Sequence, residues 1–256
     1  MSNFLLILGF TFKRSLNEIK SIIILVIIPI GLIVINSMFT DTFVLDGYNA
    51  TASNNMPAFM LAFQFFNMGI VLQYLYNDFR GDMRWRLRST PHSLLSFIIP
   101  TFVANWIFSV GLGIVIIIVS ALFLNAYLGN LLILATVLIL VSLIATLLAM
   151  IIFLLTKKAS LANGLVYIIS FGLMILSGYM FPLGRSAVAI FLNTYGTPLS
   201  LGVRAIMYSG ALSEILPSLI GYGMSDAIFN IGILAAIVAI LALIVLAISL
   251  LRRKDI

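Results

Sequence analysis

The feature that most constrains this chain is a succession of apolar runs, at about 21–39, 57–76, 97–124, 131–155, 161–177 and 228–251, none of them interrupted by a charged side chain. About 20 apolar residues in a helix cross the roughly 30 Å of bilayer hydrocarbon. Lipid offers the backbone no hydrogen-bond partner, and a helix satisfies its own within one segment. The runs therefore predict an all-α membrane protein with six transmembrane helices. A soluble fold is excluded, because a chain 62% hydrophobic and 9% charged, with mean hydropathy +1.22, has too few charges to cover a globule.

The basic residues give the topology. Lys13, Arg14, Lys20, Arg80, Arg84, Arg86, Arg88, Lys157, Lys158, Arg252, Arg253 and Lys254 all fall on one side of a six-span arrangement, leaving Arg185 and Arg204 on the other. Positive loops stay in the cytoplasm, so both termini are expected there. The polar loop 40–56 and the Gly-, Pro- and Tyr-rich insertion 178–227 are then extracellular. The apolar pieces of that insertion are too short to cross alone and are expected to re-enter the membrane edge as short helices. The net charge of +6 is dispersed over loops and ends and forms no continuous face for nucleic acid.

Residues 1–20 place Leu5, Leu8, Phe12, Leu16 and Ile19 at helical spacing, with Lys13, Arg14, Asn17, Glu18 and Lys20 on the remaining face. This predicts an amphipathic helix lying in the membrane surface, ahead of a single transmembrane domain over 21–256. Basic residues as late as 13 and 14, and no small-residue cleavage site after the next run, argue against a removed signal peptide.

Chemistry is sparse. No run holds an ionisable side chain, which argues against a proton- or ion-coupled transporter. The chain has no phosphate-binding GxxxxGK[ST] loop, so it is not expected to hydrolyse ATP itself. His92 is the one histidine, without an HExxH pattern, and Ser177 has no histidine in any run to act as its base. No cysteine is present. Neither an enzyme, a metal nor a cofactor is predicted, and a channel would need a charged ring or filter loop that is not visible. The amides Gln64, Asn67 and Gln73 stand in the second run beside Phe63 and Phe66, and Asn163 stands in the fifth. Buried amides need partners, so these residues either bond helix to helix or line a substrate path.

The loop 77–96 is the only long basic interruption. Arg80, Arg84, Arg86 and Arg88 surround Trp85 and Leu87 on a short helical pattern that Pro91 ends. It reads either as a solvated positive-inside loop or as a lever for a cytoplasmic motor, since Trp and Arg are the residue types that anchor interfaces.

Three stretches resemble the permease subunits of type-two ABC exporters. The first is Arg80-Gly81, Leu87, Thr90-Pro91 and Ser93; the second is Ser177-Gly178-Tyr179-Met180-Phe181-Pro182-Leu183; the third is Thr197-Pro198-Leu199 through Arg204-Ala205. Two departures stand out: Asn77-Asp78-Phe79 where the family often has glutamate before Arg-Gly, and Gly184-Arg185 where it often has an acidic residue and a second proline. The resemblance implies pairing with a second copy or a related permease, and two copies of a cytoplasmic P-loop ATPase that binds ATP and Mg. It implies a coupling helix at 82–89, with Arg80, Gly81, Arg84, Trp85, Arg86, Leu87, Arg88 and Pro91 as motor contacts. It also implies an outer gate at Ser177, Gly178, Phe181 and Pro182, in a bacterial cytoplasmic membrane. The mixture of Phe63, Gln64, Phe66 and Asn67 favours an amphipathic substrate, an antimicrobial peptide or peptide toxin above a lipid-linked glycan or drug. A non-transporting scaffold or sensor is the alternative.

Overall fold

The computed structural model describes residues 2–39, 44–45, 48–81, 95–179, 184, 186–209 and 223–251. Helix α1 spans Ser2–Leu16. A continuous helical run follows as α2 (Ile19–Ile22), a π-helical turn (Ile23–Ile27) and α3 (Ile28–Phe39). Strands β1 (Val44–Leu45) and β2 (Tyr48–Asn49) pair antiparallel, Leu45 opposite Tyr48. Then come α4 (Ala50–Phe79), α5 (Leu95–Leu124), α6 (Leu131–Leu155), α7 (Ala159–Leu176), α8 (Ala187–Tyr195), α9 (Pro198–Tyr208) and α10 (Met224–Leu251).

Among the described residues, five helices are long and apolar enough to cross a membrane: α4, α5, α6, α7 and α10. The first expected span corresponds to the run through α3, whose apolar part Ile23–Phe39 is shorter. Its π turn is closed by the Ile28 amide donating to the Ile23 carbonyl, one residue further than an α-helix reaches.

The bundle is organised on α4, which packs against α3, α5, α6, α7 and α9. Side chains are buried around most of its circumference, so its sequence is apolar in every direction and has no single polar stripe. The helix starts earlier than the apolar run. The Asn49 side chain accepts from the Ala52 amide at 3.0 Å, and this cap starts the helix seven residues before Pro57. Pro57 is carried inside as a buried residue. At this end the Ser53 hydroxyl accepts from the Tyr127 amide at 2.8 Å, and the Asn49 amide donates to the Asn125 carbonyl at 3.1 Å. The α5–α6 turn is thereby held on the start of α4, with Asn125 and Gly129 in left-handed backbone conformations.

The position of α1 differs from a helix lying free on a membrane surface. Phe12 meets Phe108 edge to face at 6.2 Å and Ser15 donates to Asn105 Oδ1 at 3.3 Å. The paired positions advance in opposite senses, so α1 runs antiparallel along α5. Its buried stripe is Thr11 and Ser15 beside half-buried Phe12. Small hydroxyl residues let two helix backbones approach closely. Leu5 and Leu16, placed by periodicity on the same apolar face, are more than half exposed or half exposed.

Between the fifth and last spans stand α8 and α9. Helix α9 is buried between α4, α6 and α10. Its eleven residues reach about 16 Å, too short to cross. Its start is a capping box: the Thr197 hydroxyl accepts from the Ser200 amide at 3.0 Å, and the Ser200 hydroxyl accepts from the Thr197 amide at 3.3 Å. Gly202 allows the close crossing, because a Cβ there would stand 2.8 Å from Leu61 and 3.1 Å from Val137.

Gly202→Val is expected to destabilise the protein by about 1–3 kcal/mol through overpacking. Thermal unfolding in detergent should show a lowered Tm, whereas Gly111→Ala, at a helical glycine with open space around it, should leave Tm unchanged or slightly raised.

Candidate functional site

A cleft of about 560 Å³ opens between the π turn and α3 on one side and α4 and α7 on the other. Its walls are Ile24, Ile28 and Leu32 from the first helical run and Phe59, Phe63 and Phe66 from α4, with Phe171 and Met174 from α7. The rings form a connected array. Phe63 and Phe66 lie 5.3 Å apart, and Phe66 meets Phe171 edge to face at 5.2 Å. Behind them the Ser170 hydroxyl donates to the Phe65 carbonyl at 3.0 Å, and Val166 comes within 3.7 Å of where a Gly69 Cβ would be, so α7 is seated tightly on α4. Polar lining groups are few: Asn36, Asn55 and Tyr179. The site is an apolar, aromatic slot with amide and phenol groups toward the end where α4 begins and α7 stops.

The sequence candidates divide by helix face. Phe63 and Phe66 line the cleft. Gln64 is buried and exchanges hydrogen bonds with Ser109 of α5: its amide donates to the carbonyl at 3.4 Å and its oxygen accepts from the hydroxyl. Asn67 is also buried, with its amide nitrogen unpartnered. Neither Gln64 nor Asn67 lies on the cleft wall. Gln73 is exposed on the face of Phe66, two turns beyond it, and Asn163 is exposed near the start of α7.

Ser177 and Gly178 end α7. The Ser177 hydroxyl is buried and donates to the Met174 carbonyl at 2.7 Å, while Gly178 turns the chain with φ of +73°. A Cβ at Gly178 would meet the Asn193 amide at 3.0 Å. Arg204 of α9 donates from Nε to the Asn193 carbonyl at 3.2 Å and from Nη1 to the Tyr208 hydroxyl at 2.7 Å. Burial pushes the neighbouring Tyr179 phenol up to about 12, against the opposing pull of Arg204, so it remains a neutral donor. This network joins the end of α7 to α8 and α9. Phe181 and Pro182 lie outside the described residues.

At the opposite end, Arg80 caps α4 and turns toward α6. It donates from Nη2 to the Phe153 carbonyl at 3.0 Å and from Nη1 to the Thr156 carbonyl, and its guanidinium lies over the Phe153 ring at 4.7 Å. The Tyr76 hydroxyl joins the same group, donating to the Thr156 carbonyl at 2.8 Å. Gly81 makes the tight turn that follows, where a Cβ would stand 2.7 Å from the Asn77 carbonyl. Across the helix, Asp78 pairs with Arg14 at 2.7 Å. Lys157 and Lys158 are exposed nearby, which makes this the basic end of the bundle. Arg84, Trp85, Arg86, Leu87, Arg88 and Pro91 lie outside the described residues.

Arg14, Asp78, Thr156, Asn193 and Tyr208 were not singled out by sequence reasoning. Only the positions of Asp78 and Thr156, each within two residues of a basic residue at a span end, offered a signal. Among the described residues no group of three His, Asp or Glu side chains comes together as a metal site.

Gly178→Ala is expected to cost about 1–2 kcal/mol, because a side chain disfavours the left-handed backbone. The measurement is Tm in detergent; adding Asn193→Ala should recover only the part due to contact.

No curated protein matches the chain. Residues 3–210, well over half of it, match the family model of the ABC-2 type transporter. That match covers α1 through the end of α9, including the phenylalanine-lined cleft and both ends of α4. The chain belongs to the ABC-2 type transporter family, as a multi-pass membrane permease of an ABC transporter.

Proposed function

We propose that this permease forms the membrane pathway of an ATP-driven exporter for an amphipathic or hydrophobic substrate, a peptide toxin or antimicrobial peptide above a lipid-linked glycan or drug. The observation that carries the reading is the cleft, in which phenyl rings of α4 and α7 meet a rim of amide and phenol groups. Such a surface takes apolar side chains while leaving backbone amides of a peptide something to bond. Permeases of this family generally work with a cytoplasmic ATPase. That partner supplies ATP and Mg, and this chain binds neither.

In this reading the run Ile19–Phe39 serves as a sixth span and both termini face the cytoplasm of a bacterial cell, in keeping with Arg14, Arg80, Lys157 and Lys158 at one end. The motor seats on the loop 82–94 through Arg84, Trp85, Arg86, Leu87 and Arg88. Residues 177–182 gate the outer end, where α8 and α9 re-enter. The cleft faces a second copy of this chain or a related permease, and lipid covers the remaining apolar faces.

The test is purification of the tagged chain in mild detergent with its ATPase, followed by ATP turnover with and without an amphipathic cationic peptide. Arg86→Glu should release the ATPase, and recovery of the wild-type chain alone would sink the exporter reading. Phe66→Ala should weaken peptide stimulation about tenfold, since two ring pairs at about 0.5–1.5 kcal/mol each are removed. Stimulation by a glycan lipid and none by peptide would reassign the substrate.

A further inference from the structure

The last turn of α4 is held from two sides just before the loop 82–94. On one side, Asp78 accepts from Arg14 Nη1 at 2.7 Å, and both side chains are partly buried, at 19% and 33% exposure. Arg14 also lies over the Tyr74 ring at 4.3 Å, and the Tyr74 hydroxyl donates to Glu18. Two charged residues of the α1 end therefore grip two residues of α4 one turn apart. On the other side, Arg80 donates to the Phe153 and Thr156 carbonyls at the C-terminal end of α6. Those carbonyls lack partners within their own helix and carry its negative dipole end. Tyr76 donates to Thr156, and its ring meets Phe153 edge to face at 5.3 Å. Asp78 and Arg80, two residues apart, thus reach in roughly opposite directions.

We propose that Asp78 and Arg80 are positioning residues that splice the end of α4 to α1 and to α6, so that force entering at the loop moves these helices as one body. The inference rests on the reading that an ATPase seats on that loop. The chemistry suits the task. A guanidinium fork bridges two carbonyls and stacks on rings at once, and a lysine ammonium at the same place cannot reproduce that geometry. The ion pair on the other flank is shielded from water on most of its surface, so salt screens it less than an open surface pair.

The absence of cysteine allows spin labels to be placed at will. One pair, Asn77→Cys with Leu155→Cys, reports the α4–α6 splice, and a second, Asn77→Cys with Leu16→Cys, reports the α4–α1 splice; all three positions are exposed. The full chain with its co-purified ATPase, in lipid nanodiscs, is measured with and without ATP and vanadate. Both wild-type distance distributions should be narrow and unchanged by trapping. Arg80→Ala and Arg80→Lys should about double the width of the first and let it shift on trapping, because neither spans both carbonyls. Asp78→Asn should do the same to the second, and the exchange Arg14→Asp with Asp78→Arg should restore it. The ATPase should remain bound throughout. Wild-type widths in the variants would overturn the proposal, as would loss of the ATPase from Arg80→Ala, which would make Arg80 a motor contact instead. If the wild-type chain yields no ATPase, the exporter reading fails on its own account. The nucleotide-free widths then still decide the splices, and equal widths overturn them.

Discussion

Hydrocarbon gives a polar atom nothing to bond, and α4 shows how that demand shapes the bundle. Surrounded by five other helices, it sends nearly every polar group it buries to a named neighbour. Gln64 bonds to α5, the Phe65 carbonyl accepts from α7, Tyr76 bonds to the end of α6, and Ser53 accepts from the α5–α6 turn. Each bond is directional, so together they set how far each partner is rotated and slid along α4. Apolar packing alone would leave both freedoms open, because lipid tails are as apolar as leucine.

That division of labour explains why one helix can carry both a cleft and a scaffold. The amide-bearing side of α4 is consumed in holding α5, while the side carrying Phe63 and Phe66 is left for the open slot with Phe171. The substrate face has no hydrogen bond to neighbouring helices to break. Its aromatic contacts are non-directional and tolerate varied occupants.

The membrane class, and most span boundaries to within a few residues, were legible in the sequence, because uninterrupted apolar length is what a bilayer selects. The α6 span at 131–155 agrees at both ends. The start of α4 was misread: the polar stretch 50–56 looks like loop, and Asn49 as its cap carries more weight than composition or Pro57. The β1–β2 pair escaped notice although Asp46-Gly47 between apolar residues is a hairpin signal. Within the site, the phenylalanines of the cleft were legible, but Gln64 and Asn67 were grouped with them because linear proximity hides which way a helix face turns. Arg80 was read as a residue of a basic loop. That its guanidinium reaches α6, more than seventy residues away in sequence, is tertiary information that no local pattern contains.

The π turn at Ile23–Ile27 has a consequence for how this chain tolerates change in length. Such a turn holds one residue more than the α-helical turn it replaces. Removing any one residue there would let an ordinary helix re-form at little local cost. The phase of everything before it would then swing by about 100° relative to α3. Ile24 would rotate out of the cleft wall, and α1 could no longer present Arg14 to Asp78 while α3 kept its own packing on α4. The extra residue thus acts as a phase shim, fitting two helical surfaces with different registers into one continuous segment. At this place a single-residue deletion is a change of geometry more severe than most substitutions.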